Sequence, residues 1–153
     1  MSQPDTKIAD YFGEAILKID DGYRIHLPSE YVKTIREKST ASDEATLYLV
    51  KDRAHNRLLA FHAEHFIGKF KDLDEKSKEQ IAPDFFERSL KKGPRINISP
   101  IFAKAVIDNP DNENQVAIVG KNTFFEIWHY ADWKAQREQK NPETQSFVAT
   151  LTR

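Results

Sequence analysis

The stretch "DDGYRIHLP", residues 20–28, returns in altered form as "KKGPRINIS", residues 91–99. In both stretches a glycine lies two residues before an arginine, and the arginine is followed by isoleucine and then by a second aliphatic residue two places further on. The chain has only five glycines, so glycines at equivalent places beside Arg24 and Arg95 indicate a duplicated unit. The first copy is predicted to be a strand, a tight loop and a second strand, and the second copy a loop followed by a strand.

The flanking sequence extends both copies. The first copy, residues 11–70, is predicted to hold strands at 15–19, 25–27, 47–50 and 58–61, because apolar residues there alternate or cluster in short runs. Between them, Ser29 is predicted to cap a helix that ends near Lys38. The second copy, residues 91–135, repeats this order, with a helix opening at Ser99 and strands at 116–119 and 124–128.

The remaining segments are predicted from composition. Residues 71–90 are predicted to be connecting helices, interrupted at Pro83, with Asp84 capping a second segment that carries Phe85, Phe86 and Leu90. Residues 1–9 and the tail 138–153 are predicted to be flexible, and "FVATLT" in the tail is predicted to be able to pair as an edge strand.

Composition limits the class of protein. At 153 residues with 39% hydrophobic and 31% charged residues, the chain is expected to fold as one compact unit. It has no cysteine and no apolar run of membrane-spanning length, which favours a cytoplasmic protein without membrane contact. A net charge of −1 excludes nucleic-acid binding by bulk charge but leaves room for a local basic face.

Motifs for catalysis and cofactors are missing from the sequence. No Ser, His and acid set has motif spacing and no glycine loop is built for phosphate, so the chain is predicted not to be an enzyme and to need no cofactor. His62, His65 and His129 raise a metal site as an alternative, but helix-capping or packing roles are favoured over it. Trp128 and Trp133 suit either base stacking or the core, and their matching place in the repeat favours the core.

Several of these features together resemble the MraZ family, which belongs to the AbrB-like group of swapped-hairpin DNA-binding proteins. The features are Phe12-Gly13-Glu14 before a strand, Asp20 four residues before Arg24, and an "EIW" whose Trp128 precedes Trp133 by five residues. The resemblance covers about residues 11–135. It implies an α+β, β-rich fold in which two tandem AbrB-like repeats form a pseudo-twofold swapped-hairpin β-barrel core.

The resemblance also implies a function. MraZ proteins are transcriptional regulators that bind double-stranded DNA repeats upstream of the bacterial division and cell-wall gene cluster, and they assemble as ring-like homo-oligomers. Membership would place the protein at the nucleoid. In the family, each half carries a D-x-x-x-R loop whose arginine faces DNA.

These roles can be assigned to residues of this chain. We expect Arg24 and Arg95 to read DNA, because a guanidinium offers a fork that matches guanine O6 and N7 or a phosphate. The expected phosphate contacts are Lys18, Lys91 and Lys92, and the expected loop-bracing residues are Asp20, Gly22 and Gly93. The second loop, which carries more positive charge, is expected to supply more of the salt-dependent affinity.

The two loops depart from the family pattern. Lys91 stands where the family has the aspartate, and Tyr23 and Pro94 stand where it has glycine before the arginine. Proline fixes φ near −65°, roughly, so a different backbone path is expected in these loops.

Two alternatives to DNA reading remain. In the first alternative, each arginine is only a surface residue that forms an ion pair with Asp20, Asp21 or Glu87. Such an exposed ion pair stabilises a protein by roughly 0 to 1 kcal/mol. The whole chain, alternatively, is an oligomeric scaffold or an antitoxin-like interaction module that binds a protein partner through its C-terminal tail. The salt dependence of binding separates DNA reading from binding of a protein partner, since phosphate contacts weaken steeply with salt.

Overall fold

The computed structural model describes residues 9–39, 45–52, 54–90, 93–98, 114–138 and 149–152. Within them the protein is a mixed α+β fold dominated by strands, as the sequence predicts. In chain order the elements are β1 (Glu14–Lys18), β2 (Arg24–His26), α1 (Ser29–Lys38), β3 (Ala45–Asp52), β4 (Arg57–His62), α2 (Ala63–Lys71), α3 (Glu75–Ile81), a 3-10 turn (Ala82–Asp84), β5 (Phe85–Leu90), β6 (Arg95–Asn97), β7 (Gln115–Gly120), β8 (Phe125–His129) and α4 (Tyr130–Glu138).

The strands form two antiparallel sheets. Six of them lie in the order β1-β7-β8-β4-β3-β5, while β2 and β6 form a separate two-stranded sheet, here called the ribbon. In the described residues the larger sheet is open, with β1 and β5 as its two edges. Among the described residues the sheet does not close into the expected swapped-hairpin β-barrel, because β1 and β5 each hydrogen-bond to one neighbour and not to each other.

The two halves of the chain are interleaved in the larger sheet. The hairpins β3–β4 and β7–β8 meet at its centre, where Leu58 faces Ile127 and Ala60 faces Phe125. At the edges, β1 pairs with β7 of the second half and β5 pairs with β3 of the first half. Neither half therefore completes its part of the sheet without the other.

One apolar core joins the sheet, the ribbon and α1. Tyr11, Tyr31 and Phe125 form its aromatic centre, with ring centroids 5.0 to 5.1 Å apart. Around them the fully buried aliphatic side chains of β2, α1, β3, β4, β6 and β7 complete the packing. Burial of each such side chain stabilises the fold by about 1.5 to 3 kcal/mol. Ile25 and Ile96 therefore hold the ribbon against the core.

Most predicted elements are confirmed, but the prediction of helix across the second part of residues 71–90 is wrong. The helix α3 lies at 75–81, whereas Phe85–Leu90 is strand β5 and Asp84 caps no helix. The phenylalanines that suggested a helical face instead lie opposite β3, with Phe85 facing Val50 and Phe86 facing Leu49. Pairing with a distant strand thus overrides the local helical composition.

Two smaller predictions are also wrong. Helix α1 begins at Ser29 itself, and the residue before it, Pro28, has an extended backbone whose carbonyl accepts from the N–H groups of Tyr31 and Val32 at 3.0 and 3.1 Å. At the C-terminus, residues 149–152 are helical instead of an edge strand. There the Thr152 hydroxyl donates to the Ala149 carbonyl at 3.2 Å. The predicted helix from Ser99 lies outside the described residues.

Gly120, at the end of β7, offers a test of this packing. A Cβ there would meet the backbone N of Phe12 at 2.4 Å, whereas a Cβ at Gly68 in α2 would meet nothing within 4 Å. Gly120→Ala is expected to lower the free energy of unfolding by about 1 to 3 kcal/mol, because backbone atoms have to move. Gly68→Ala is expected to raise it by about 0.5 to 1 kcal/mol, because alanine favours helix. Urea unfolding measures both, and equal effects would contradict the close approach of residues 11–12 to Gly120.

Candidate nucleic-acid interface

The ribbon buries one face and exposes the other. Ile25 faces Ile96 in the strand pairing, and both side chains are fully buried. The residues on either side of each isoleucine are exposed. Because successive side chains of a strand point to opposite faces, the outward face carries four polar side chains, Arg24, His26, Arg95 and Asn97. The structure thus brings the two sequence-predicted arginines onto one surface.

Hydrogen bonds on both sides of the isoleucine pair repeat one another. The N–H of Leu27 donates to the carbonyl of Pro94, and the N–H of Ile98 donates to the carbonyl of Tyr23, both at 2.8 Å. Tyr23 and Pro94 each precede an arginine directly, and Leu27 and Ile98 each follow one by three residues. The two arginine segments therefore occupy equivalent positions in the ribbon.

Asp20 organises the first loop. Its Oδ1 accepts from the backbone N–H groups of Gly22 and Arg24, both at 2.9 Å, and its Oδ2 accepts from Arg24 Nε at 3.0 Å. One oxygen therefore closes the turn and the other holds the guanidinium. The backbone N–H of Arg24, then that of Gly22 and the Arg24 guanidinium, lower the pKa of Asp20 below its usual range, so the carboxylate is charged at neutral pH.

Tyr23 and Gly22 show how the loop accommodates its altered sequence. Tyr23 has a φ of 59°, the left-handed conformation that glycine adopts without steric cost. The half-buried tyrosine packs against the core. Gly22 has no positive φ, but a Cβ there would lie 3.2 Å from Arg24 Nε, so glycine leaves room for the arginine to fold back onto Asp20.

The second loop holds its arginine differently. Arg95 has no carboxylate within ion-pair distance among the residues that the structure describes. The carbonyl of Gly93 accepts from Arg36 Nη2 at 3.3 Å, and a Cβ at Gly93 would meet nothing within 4 Å. Among the described residues, Arg95 thus lacks the carboxylate partner that Arg24 has in Asp20.

A cleft of about 810 Å³ lies along the outward face of the ribbon. It is lined by residues from β2, β5, β6 and the second loop, namely Arg24, His26, Glu87, Arg88, Ser89, Gly93, Pro94, Arg95 and Asn97. Three of these residues are arginines and one, Glu87, is an acid. Glu87 Oε2 accepts from the Tyr48 hydroxyl at 2.9 Å. The cleft is therefore a site of local positive charge on a nearly neutral chain.

The three lysines predicted to contact phosphate are not all placed. Lys18 is exposed at the end of β1, where it faces Gln115, and it does not line the cleft. Lys91 and Lys92 lie outside the described residues. Of the predicted contacts, only the two arginines are shown to share the cleft.

His26, Asn97 and Arg88 line the cleft but were not predicted as site residues from the sequence. His26 and Asn97 are two residues beyond Arg24 and Arg95, so the alternation of the strands was a usable signal for both. Asn97 Nδ2 donates to the Gly22 carbonyl at 2.7 Å and so connects the end of β6 to the first loop. Arg88 carried no such signal, because its segment was predicted to be helical.

The histidines and tryptophans have internal partners. His62 Nε2 lies 2.8 Å from the Tyr11 hydroxyl, and His129 Nδ1 accepts from the N–H of Asp132 in the first turn of α4. In the described part of the chain, no three His, Asp or Glu side chains cluster as a metal site requires. Trp128 is buried, and its Nε1 donates to Glu126 at 2.9 Å, while the Trp133 ring lies 5.9 Å from the Tyr130 ring at a tilt of 32°.

Comparison with known proteins gives no relative: no protein-family model and no curated protein matches the chain. None of the described helices is long and apolar enough to cross a membrane.

Two substitutions of Asp20 distinguish the contribution of its bonds to the turn backbone from that of its bond to the Arg24 guanidinium. Asp20→Asn keeps an oxygen for the two backbone N–H groups but presents no second acceptor to Arg24 Nε, whereas Asp20→Ala loses all three hydrogen bonds. We expect Asp20→Ala to lower the thermal midpoint more than Asp20→Asn at pH 7. Because the pKa of Asp20 is depressed in the folded state, the stability it contributes is lost as pH falls through that pKa.

Thermal unfolding at pH 7 and under acid conditions, followed by circular dichroism, checks this expectation. Both variants should lose less stability than the wild type on acidification. Equal midpoints for the two variants at pH 7 would show that Oδ1 does not hold the turn.

Proposed function

We propose that the protein is a sequence-specific DNA-binding transcriptional regulator of the MraZ type, which binds double-stranded DNA through the outward face of the ribbon. One observation carries the proposal: Arg24 and Arg95, distant in sequence, lie at equivalent positions on one exposed surface and line one cleft. The proposal assigns the protein no catalytic role and no cofactor.

The dimensions of the ribbon suit the major groove. That groove admits a two-stranded β-ribbon, and guanine presents its O6 and N7 acceptors there to a bidentate arginine. The two arginines are diagonal neighbours across the ribbon, so the residues are roughly 7 to 8 Å apart and their Cβ atoms somewhat closer. This spacing matches about two base-pair steps along a strand.

The chain charge bears on the assembly. Since the net charge is −1, a single copy has little general attraction for DNA and depends on the local cleft. We therefore propose a homo-oligomer, ring-like as in the MraZ family, in which several clefts engage repeated sites and gain avidity. DNA repeats upstream of a division and cell-wall gene cluster, and a location at the nucleoid, are part of the same proposal.

The strand pairing supports the view that the chain is two tandem AbrB-like repeats. The equivalent hydrogen bonds beside Ile25 and Ile96, and the exchange of β1 and β5 between the hairpins of the two halves, are what a swapped duplication would produce. Under this interpretation β5 is the opening strand of the second repeat, equivalent to β1.

The test is fluorescence anisotropy with labelled DNA from upstream of the gene and with a scrambled duplex of equal length. The proposal expects tighter binding to the upstream DNA, and affinity that falls steeply as salt rises. Equal affinity for both duplexes across the salt series would refute sequence-specific reading.

An apolar groove favours the second candidate, a protein-interaction module. The groove has a volume of about 260 Å³ and is lined by Val50, Leu59, Phe61, His65, Phe66, Lys69, Phe70, Leu73 and Ile81. This surface is distinct from the C-terminal tail that the sequence suggested as the partner site. If this candidate is right, partner binding would persist at high salt, because an apolar interface is little affected by salt.

A further inference from the structure

Arg88 lies in the same cleft as Arg24 and Arg95, on strand β5 beside the ribbon. Its Nε donates to the Asn97 carbonyl at 2.9 Å, and its Nη1 donates to the Glu87 carbonyl at 2.9 Å. The guanidinium also lies 4.6 Å from the centre of the Phe86 ring. Three contacts thus fix its orientation before any ligand arrives.

None of these contacts neutralises the charge of Arg88. All three partners are uncharged, and no carboxylate pairs with Arg88 among the described residues. Glu87 is the acid nearest in sequence, and its carboxylate accepts from the Tyr48 hydroxyl. A fixed guanidinium without an ion pair among the described residues, in a partly exposed cleft, is suited to bind an anion.

We propose that Arg88 is a DNA phosphate-binding residue that holds the backbone on the β5 side of the cleft; the inference rests on the proposed DNA-binding function. Nε and one hydrogen of Nη1 already donate to carbonyls, so Nη2 and the second Nη1 hydrogen remain for a ligand. Arg88 lies on β5 beside the ribbon and not on the two strands proposed to enter the major groove. The phosphates that flank the groove are therefore its expected ligand.

This contact makes the cleft unequal on its two sides. Arg88 lies seven residues before Arg95, and the residue seven before Arg24 is Leu17, which packs against the core. At the position in β1 that is equivalent to Arg88 in β5, the chain therefore has an apolar residue and no cation. The backbone of bound DNA is held by an additional charge on one side only.

The test compares wild type with Arg88→Gln and Arg88→Lys by anisotropy over a salt series, on specific and scrambled duplexes. Arg88→Gln is expected to weaken binding to both duplexes by the same factor and to reduce the slope of log affinity against log salt by about 0.9. The specificity ratio should not change. Arg88→Lys keeps the charge and is expected to keep the slope.

Ethylation interference on the specific duplex provides a second measurement. Ethylation at one or two phosphates should impede the wild type and have no further effect on Arg88→Gln. An unchanged slope and interference pattern, or a loss confined to the specific duplex, would overturn the assignment. If Arg88→Gln does not fold, loss of salt-dependent affinity in a folded Arg88→Lys would likewise overturn the charge argument. Absence of specific binding by the wild type would instead refute the proposed function, and the assignment of Arg88 with it.

Discussion

Arg57→Met is expected to lower the free energy of unfolding by about 3 kcal/mol, at the lower end of the roughly 3 to 5 kcal/mol for breaking a buried ion pair. Arg57 at the start of β4 bonds to Glu126 of β8 through Nη1 and to Asp52 through Nε, the latter at 2.7 Å. Only 3% of the Glu126 side chain is exposed, so the substitution leaves a buried carboxylate without its cation. Trp128 Nε1 still donates to Glu126, which limits the loss.

A second substitution separates charge from packing. Arg57→Met combined with Glu126→Gln removes the unpaired charge while it keeps an acceptor for Trp128, so most of the lost stability should return. Guanidinium chloride unfolding of the two single variants and the double variant gives the coupling energy directly. If the double variant is no more stable than Arg57→Met, the loss comes from packing of Arg57 against the Trp128 ring, which lies 5.1 Å away.

Arg95→Ala and Arg24→Ala are each expected to reduce discrimination between specific and scrambled DNA by about 1 to 3 kcal/mol, roughly 5- to 150-fold. Their effects on scrambled DNA should differ. Arg24→Ala leaves Asp20 as an unpaired negative charge beside the DNA face, whereas the structure describes no carboxylate paired with Arg95. Arg24→Ala is therefore expected to weaken non-specific binding more than Arg95→Ala does.

Anisotropy at fixed salt measures both effects, with Arg24→Lys and Arg95→Lys as controls. Lysine keeps the charge but not the fork, so each lysine variant should retain non-specific affinity and lose discrimination. Adding Asp20→Asn to Arg24→Ala should restore non-specific affinity without restoring discrimination. If the lysine variants discriminate as well as the wild type, the arginines contact phosphates and do not read bases. The larger salt-dependent contribution expected of the second loop stays a prediction, because Lys91 and Lys92 are not described.

The sequence was sufficient wherever structure depends on near neighbours. The short apolar runs around Leu49 and Ile127 predicted their strands, and the loop residues at 20–23 predicted the turn before Arg24. The same local logic failed for Phe85–Leu90, because its composition suits a helix and only pairing with β3 decides that it is a strand. Tyr23 is a similar case: local rules disfavour its φ of 59°, and packing against the core holds it there.

By itself, the sequence predicted the first strand-loop-strand unit and, in both halves of the chain, a loop followed by a strand in which an arginine lies next to an isoleucine. These properties follow from turn residues and a two-residue period, which are read within a few positions. Only the tertiary structure decided that Arg24 and Arg95 share one face, that Arg88 lines the same cleft, and that Asn97 of β6 bonds to the first loop. Such neighbours depend on which distant strands pair and in what register, and that choice is made by burial of the shared core.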